Sequence, residues 1–176
     1  HCIEHIESIA PDDINRFGEL GIIASVQPEH MPKYDFYNHP FHKILGEARM
    51  KYSWPFQSLA ASGAHLAFGT DYPVVEINPF RGIYRAVTRL TNEGEPKGGW
   101  NPDERVSIHD ALRAYTYGGA YASKRDHELG TLEPGKLADI AVVEKNIFKC
   151  ASDRKEMFAM KVLMTIMNGE IVYHNQ

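Results

Sequence analysis

"HLAFGTDYPV", residues 65–74, starts as a buried strand and finishes in an acid. Leu66, Ala67 and Phe68 are apolar, Gly69 permits a turn, and Thr70 and Asp71 then present a hydroxyl and a carboxylate ahead of Tyr72 and Pro73. A short apolar run bounded by turn residues reads as a strand buried on both faces. Such strands belong to parallel sheets, whose crossover helices cover both sides. The upstream sequence repeats that logic. "WPFQSLAASG" reads as a short helix with Pro55 near its start and Gly63 as its stop. Ahead of it, "IIASV" (22–26) is a continuous apolar strand closed by Gln27 and Pro28. "APDDINRFGELG" is a helix with Pro11 at its first position, Asp12 and Asp13 in its first turn, Gly21 as its stop, and Ile14, Phe17 and Leu20 on its core face. Residues 1–5 form a short strand. The order strand, helix, strand, helix, strand predicts an α/β fold with a parallel sheet. In barrels and open sheets alike, functional groups gather at the carboxyl ends of such strands. His5 and Asp71 both stand there.

Between the second and third strands, residues 28–53 form a polar and aromatic loop carrying His30, His39 and His42. Connections that long are usually functional or mobile. Downstream, "FRGIYRAVTRL" (80–90) is a helix with Ile83, Val87 and Leu90 on one stripe, followed by the Gly-rich "NEGEPKGGWNP". "SIHDALRAYTYGGAYA" (107–122) is another helix, opened by the capping-box pattern of Ser107 and Asp110 and spaced by Ile108, Ala111, Leu112, Tyr115 and Gly119. The period then changes to that of strands. "LGTLEPGKLADIAVVEKN" predicts two short strands about a type II turn at Pro134 and Gly135, and "KVLMTIMNGEIVYHN" predicts a hairpin across Asn168 and Gly169. These strands make a separate small β unit.

Composition narrows the function classes. The 176 residues, 43% apolar and 24% charged, are ordinary globular material able to bury a core. A net charge of −4 leaves no basic footprint for nucleic acid. No apolar run reaches the roughly 18 residues of a membrane span, and no signal-peptide pattern is present. Two cysteines, Cys2 and Cys150, are too few for a disulfide framework and point to a reducing compartment, hence the cytoplasm. The chain opens at His1 in mid-strand, so the expectation is a fragment of a longer protein.

"IEH", "FGTDYPV", "GGWNPDERVSIHDALRAYT", "LEPGKLADIAVVEKN" and "VLMTIMNGEIVY" together resemble, in order and spacing, the C-terminal part of metal-dependent amidohydrolases of family 3, the YtcJ-like branch. The resemblance covers almost the whole chain; residues 31–51 lack a clear echo. It implies strands six to eight of a distorted (β/α)8 TIM barrel within residues 1–125, and strands of a small β-sandwich in residues 126–176. By that resemblance His5 falls on the strand-six metal-ligand histidine. Asp71 falls on the strand-eight aspartate, which binds metal or moves the proton of the attacking water. His30, in "SVQPEH", and Tyr72 fall where relatives meet the substrate. The first-strand His-x-His pair, the strand-four ligand and the strand-five histidine have no counterpart in the chain. The implied cofactor is a divalent metal, zinc by its ligand types, in the full-length enzyme and absent or weakly held in this fragment. The implied partners are a small amide or N-acyl substrate, the missing N-terminal part of the barrel and further copies of the chain; nucleic acid and membrane are not expected.

Each residue also has a plainer reading. Asp71 alone, after Gly-Thr, reads as a turn or capping aspartate, and His5 alone as a satisfied strand histidine. "HPFH" (39–42) has metal-like spacing, and Cys2 with His5 makes a C-x-x-H pair, but each is half of a site that needs four ligands; His39 and His42 are read as loop histidines. Tyr115, Tyr117 and Tyr121 read as packing. Two function classes follow. One is a hydrolase cutting a non-peptide carbon–nitrogen bond through a metal-activated water. The other is an inert partial domain that folds by self-association or by packing on its missing half.

Overall fold

The computed structural model describes residues 1–150 and 154–175. Three strands, β1 (Cys2–Glu4), β2 (Ile23–Val26) and β3 (His65–Phe68), form a parallel sheet in the order β1-β2-β3. Cys2 pairs with Ile23 and Ile23 with His65, so the three strands leave the core at the same end. Helix α1 (Pro11–Glu19) returns the chain from β1 to β2. The connection from β2 to β3 holds a short 3-10 turn (Pro28–His30), then α2 (Pro40–Leu45), α3 (Glu47–Met50) and α4 (Phe56–Ala61). After β3 come α5 (Pro79–Thr88), a 3-10 turn (Pro102–Glu104), and α6 (Ile108–Arg113), which runs through one π-helical turn (Ala114–Gly118) into α7 (Gly119–Ala122). A second, antiparallel sheet contains β4 (Ile140–Val143), β5 (Val162–Met167) and β6 (Glu170–His174), and α8 (Arg154–Phe158) precedes β5.

Four local expectations are corrected. Leu20 lies just past α1 and is 60% exposed; Ile14 and Phe17 alone carry that helix's buried face. Residues 28–53 hold helices and contribute Met31, Phe36 and Met50 to the core, so the segment is packed polypeptide. Polar residues outnumber the apolar ones there, yet fully burying three side chains of this size is worth about 1.5–3 kcal/mol each. Along the helix from Ile108, the π turn inserts a residue and shifts the phase, so Gly118, not Gly119, faces β3, where any Cβ would strike the Leu66 carbonyl. Finally, no strand forms ahead of Pro134. The segment is held instead by other bonds: the Lys136 ammonium donates to the Asp126 carbonyl at 2.7 Å and the Leu129 carbonyl at 3.3 Å, and the Leu137 N–H to the Glu128 carbonyl at 2.9 Å. The hairpin holds: Asn168 and Gly169 both have positive φ, 50° and 84°, as a type I′ turn requires.

Helix α1 packs against α4, and at one point of that packing, Gly18 against the C-cap Ser62, only glycine fits. A Cβ on Gly18 would overlap the carbonyl oxygen of Ser62, which is backbone and cannot rotate away. Gly18→Ala therefore forces the helices apart. Overpacking of this kind costs about 1–3 kcal/mol, and in a chain of this size each kcal/mol moves the melting temperature by about 2–4 °C. A melting temperature unchanged by the substitution would contradict this packing.

Candidate metal centre

The sheet register delivers two sequence-singled residues to the same rim. His5 follows β1 directly and still donates its backbone N–H to Ser25 at 2.8 Å, while Gly69 after β3 donates to Val26 at 3.1 Å. Beyond those bonds both chains turn sharply: His5 has φ 68° and Asp71 φ 54°. The left-handed region is uncommon outside glycine, with His, Asp and Asn enriched there. It swings both side chains off the strand axes and across the sheet's carboxyl end. His30 reaches the same place from β2, on the 3-10 turn that Pro28 starts.

The ligand atoms of His5, His30 and Asp71 all lie within 4.8 Å of one another, and no other such group of three or more occurs among the described residues. Partners fix the two rings. His5 Nδ1 lies 2.9 Å from Gln27 Oε1, and His30 Nδ1 lies 3.2 Å from Glu7 Oε1. Both partner atoms are acceptors, so each Nδ1 is the donor, the tautomer that in a neutral ring leaves the lone pair on Nε2. His5 and His30 stack at 5.8 Å between centroids with 22° between planes. His30 Nε2 is buried and has no hydrogen-bond partner among the described residues. An orphaned, lone-pair-bearing nitrogen beside a second imidazole and a carboxylate is a donor set suited to a divalent ion. Zinc-sized ions hold N and O ligands at about 2.0–2.2 Å, so closing these donors on one requires side-chain shifts on the order of an ångström. The residues therefore fit the group.

The alternative reading of Asp71 as a cap finds no support. Its backbone carbonyl accepts from Val74 at 2.8 Å, which closes a turn. Its carboxylate, however, accepts no hydrogen bond among the described residues, and α5 is capped instead by Asn78. Tyr72 follows Asp71 directly and is 66% exposed. His39 caps α2 by accepting from the Phe41 N–H, and burial lowers its pKa. Neither His39, His42 nor Cys2 joins the cluster. Tyr117 and Tyr121 stack on each other, and Tyr121 on His65, as packing residues do.

Sequence reading missed Glu7 and Gln27. Gln27 was visible only as the residue closing an apolar strand, yet that is the position that singled out His5 and Asp71, and it is 5% exposed. Next to His30, Glu29 is buried with Oε2 unpartnered; burial pushes its pKa up, partly offset by Arg81, Lys33 and Arg85.

Several known proteins resemble the chain. The chain is 42% identical over 171 residues to the protein LONG AFTER FAR-RED 3 of Arabidopsis thaliana, covering 97% of this chain and 28% of that protein. It is 28% identical to the putative amidohydrolase YtcJ of Bacillus subtilis (96% of this chain, 31% of that protein) and 33% identical to the N-substituted formamide deformylase of Arthrobacter pascens (68% and 21%). The chain thus spans under a third of the length of these relatives. Among solved structures, an uncharacterized metal-dependent hydrolase from Pyrococcus horikoshii superposes with a TM-score of 0.64 at 31% identity, over 77% of this chain and 26% of that one. The amidohydrolase family matches residues 1–173, and the chain belongs to that family.

Proposed function

We propose that this chain supplies part of the active site of a metal-dependent hydrolase that cuts a non-peptide carbon–nitrogen bond in a small amide or N-acyl substrate. The observation that carries the reading is the convergence of His5, His30 and Asp71, with His30 Nε2 buried and unpaired among the described residues. His5 and Asp71 hold the ion, and His30, which the resemblance places toward the substrate, is the third donor facing it. A zinc-like ion bound there would polarise the substrate carbonyl and lower the pKa of water from 15.7 to about 7. The protein's own residues do the rest. Gln27 and Glu7 keep the two Nε2 lone pairs pointed inward. Asp71, exposed and without a hydrogen-bond donor of its own among the described residues, takes the proton from the attacking water and passes it to the leaving nitrogen. Tyr72, exposed next to it, is placed to line the substrate's path. Residues 1–125 belong to the barrel part and 126–176 to the sandwich part; residues 151–153 and 176 of the latter lie outside the described residues. The test is hydrolysis of N-acyl and N-substituted formamide substrates by the whole protein, with and without chelator. Turnover that survives full removal of metal would contradict the reading.

A second reading concerns the chain by itself. All of β1 and all of β6 are exposed, with Ile3, Ile171, Val172 and Tyr173 between 44% and 61% accessible. Open parallel edges and bare apolar faces invite pairing with more polypeptide. The 176 residues alone are expected to associate with copies of themselves, through these surfaces, and to be inactive. Light scattering that showed a well-folded, strictly monomeric species would count against this. No helix among the described residues is long and apolar enough to cross a membrane.

A further inference from the structure

Two arginines on one helix line are completely buried. Arg85 lies in α5 and Arg89 at its C-terminal cap, four residues on, and both have no exposed surface. Neither forms an ion pair with a carboxylate among the described residues; burial lowers Arg85 to about 10 and Arg89 to about 9, and both remain cations at neutral pH. Glu29 favours the charge on Arg85 and Glu104 that on Arg89 without direct contact, and buried charge is costly unless hydrogen bonds satisfy it, so where the guanidinium protons go is informative. Arg85 Nη2 donates to the carbonyls of Met31 at 2.7 Å and Pro32 at 2.6 Å, the two residues directly after His30. Its Nη1 donates to Asn92 Oδ1 at 3.2 Å, and the Asn92 N–H in turn donates to the Lys33 carbonyl at 3.2 Å. Arg89 donates to the carbonyls of Trp54 at 2.8 Å and Trp100 at 3.1 Å, and approaches that of Ser53 at 3.4 Å. The Trp54 N–H donates to the Glu7 carbonyl at 3.1 Å, and it is the Glu7 carboxylate that accepts from His30 Nδ1.

We propose that Arg85 and Arg89 are paired positioning residues for the metal centre: Arg85 fixes the backbone behind His30, and Arg89, through Trp54, fixes the carboxylate that orients the His30 ring. The inference rests on the reading of His30 as a metal donor. It gives the packed 28–54 segment a role, since both of its ends are tied to one helix and His30 sits at the first tie. Arg85 holds the two carbonyls with Nη2 and Asn92 with Nη1; that two-armed planar reach belongs to arginine, and lysine offers the charge without the fork.

The experiment compares the whole wild-type protein with Arg85→Met, Arg85→Lys, Arg89→Lys, which is expected to act as Arg85→Lys does, and, as a destabilised control on the other sheet, Gly169→Ala, whose φ of 84° disfavours any side chain. Two quantities are read on metal-free and zinc-titrated protein: the imidazole ¹⁵N shifts of His30, which report its tautomer, and the zinc dissociation constant by chelator competition. Wild type is expected to show His30 with Nδ1 protonated. Arg85→Met should mix the tautomers and weaken zinc about 10–100-fold, the usual effect of losing an outer-shell partner, with Arg85→Lys in between and Gly169→Ala lowering the melting temperature alone. Should Arg85→Met fail to fold, Arg85→Lys carries the same test. Arginine variants that keep both the His30 shifts and the zinc affinity overturn the proposal. If wild type holds the single tautomer but binds no zinc, the metal reading fails, and the effect of the variants on the tautomer still decides whether the arginines position His30.

Discussion

Asp71→Asn in the whole protein is expected to reduce kcat for any accepted N-acyl substrate by about 10²–10⁴-fold, the usual worth of general-base assistance, and by more if metal is lost with it. The fold should be unaffected, for two reasons. Asparagine tolerates left-handed backbone as readily as aspartate, so the φ of 54° is kept. The carboxylate also accepts no hydrogen bond among the described residues, so its loss leaves no donor stranded. Thermal melting run beside the kinetics should show the same transition. The competing account, in which Asp71 only shapes the turn before Val74, predicts turnover within a few-fold of the parent, since Asn serves a turn equally well. The two outcomes lie orders of magnitude apart.

The second large effect is on metal. His5→Ala removes one of the three converging donors, and zinc affinity is expected to fall by more than the roughly 10–100-fold typical of an outer-shell change. Gln27→Ala leaves the donor but frees its ring to rotate, and should cost about 10–100-fold. Graded loss, His5 worse than Gln27, is the signature of a ligand and its orienting partner. Equal or absent effects would mean that the His5–Gln27 contact at 2.9 Å is merely a satisfied pair at a strand end.

Position along the strands put His5 and Asp71 at the same rim, but taken alone each read as an ordinary turn or strand residue, and only the family resemblance singled them out; the structure brings them together with His30. His30 was legible as a residue near the site, though its meeting with the other two depends on a 3-10 turn whose direction no periodicity encodes. Glu7 and Gln27 were not, because a hydrogen-bonded partner leaves no spacing signature. Nor were Arg85 and Arg89, which sit on a helix that patterning reads as half solvated; their burial follows from carbonyls supplied by residues up to 54 positions away. The π turn at Ala114–Gly118 misdirected the helical count by one, and ahead of Pro134 the Lys136 ammonium bonds two main-chain carbonyls where a ladder was expected. In each case a long-range hydrogen bond or a local insertion overrode the local pattern.

The most direct test of the account is a zinc-edge anomalous difference map from crystals of the whole protein. A peak in bonding contact with His5, His30 and Asp71, the donors that already lie within 4.8 Å of one another, is the predicted result. Zinc bound elsewhere, at the His39 and His42 segment or at Cys2, with His5 and Asp71 left without metal, would contradict it.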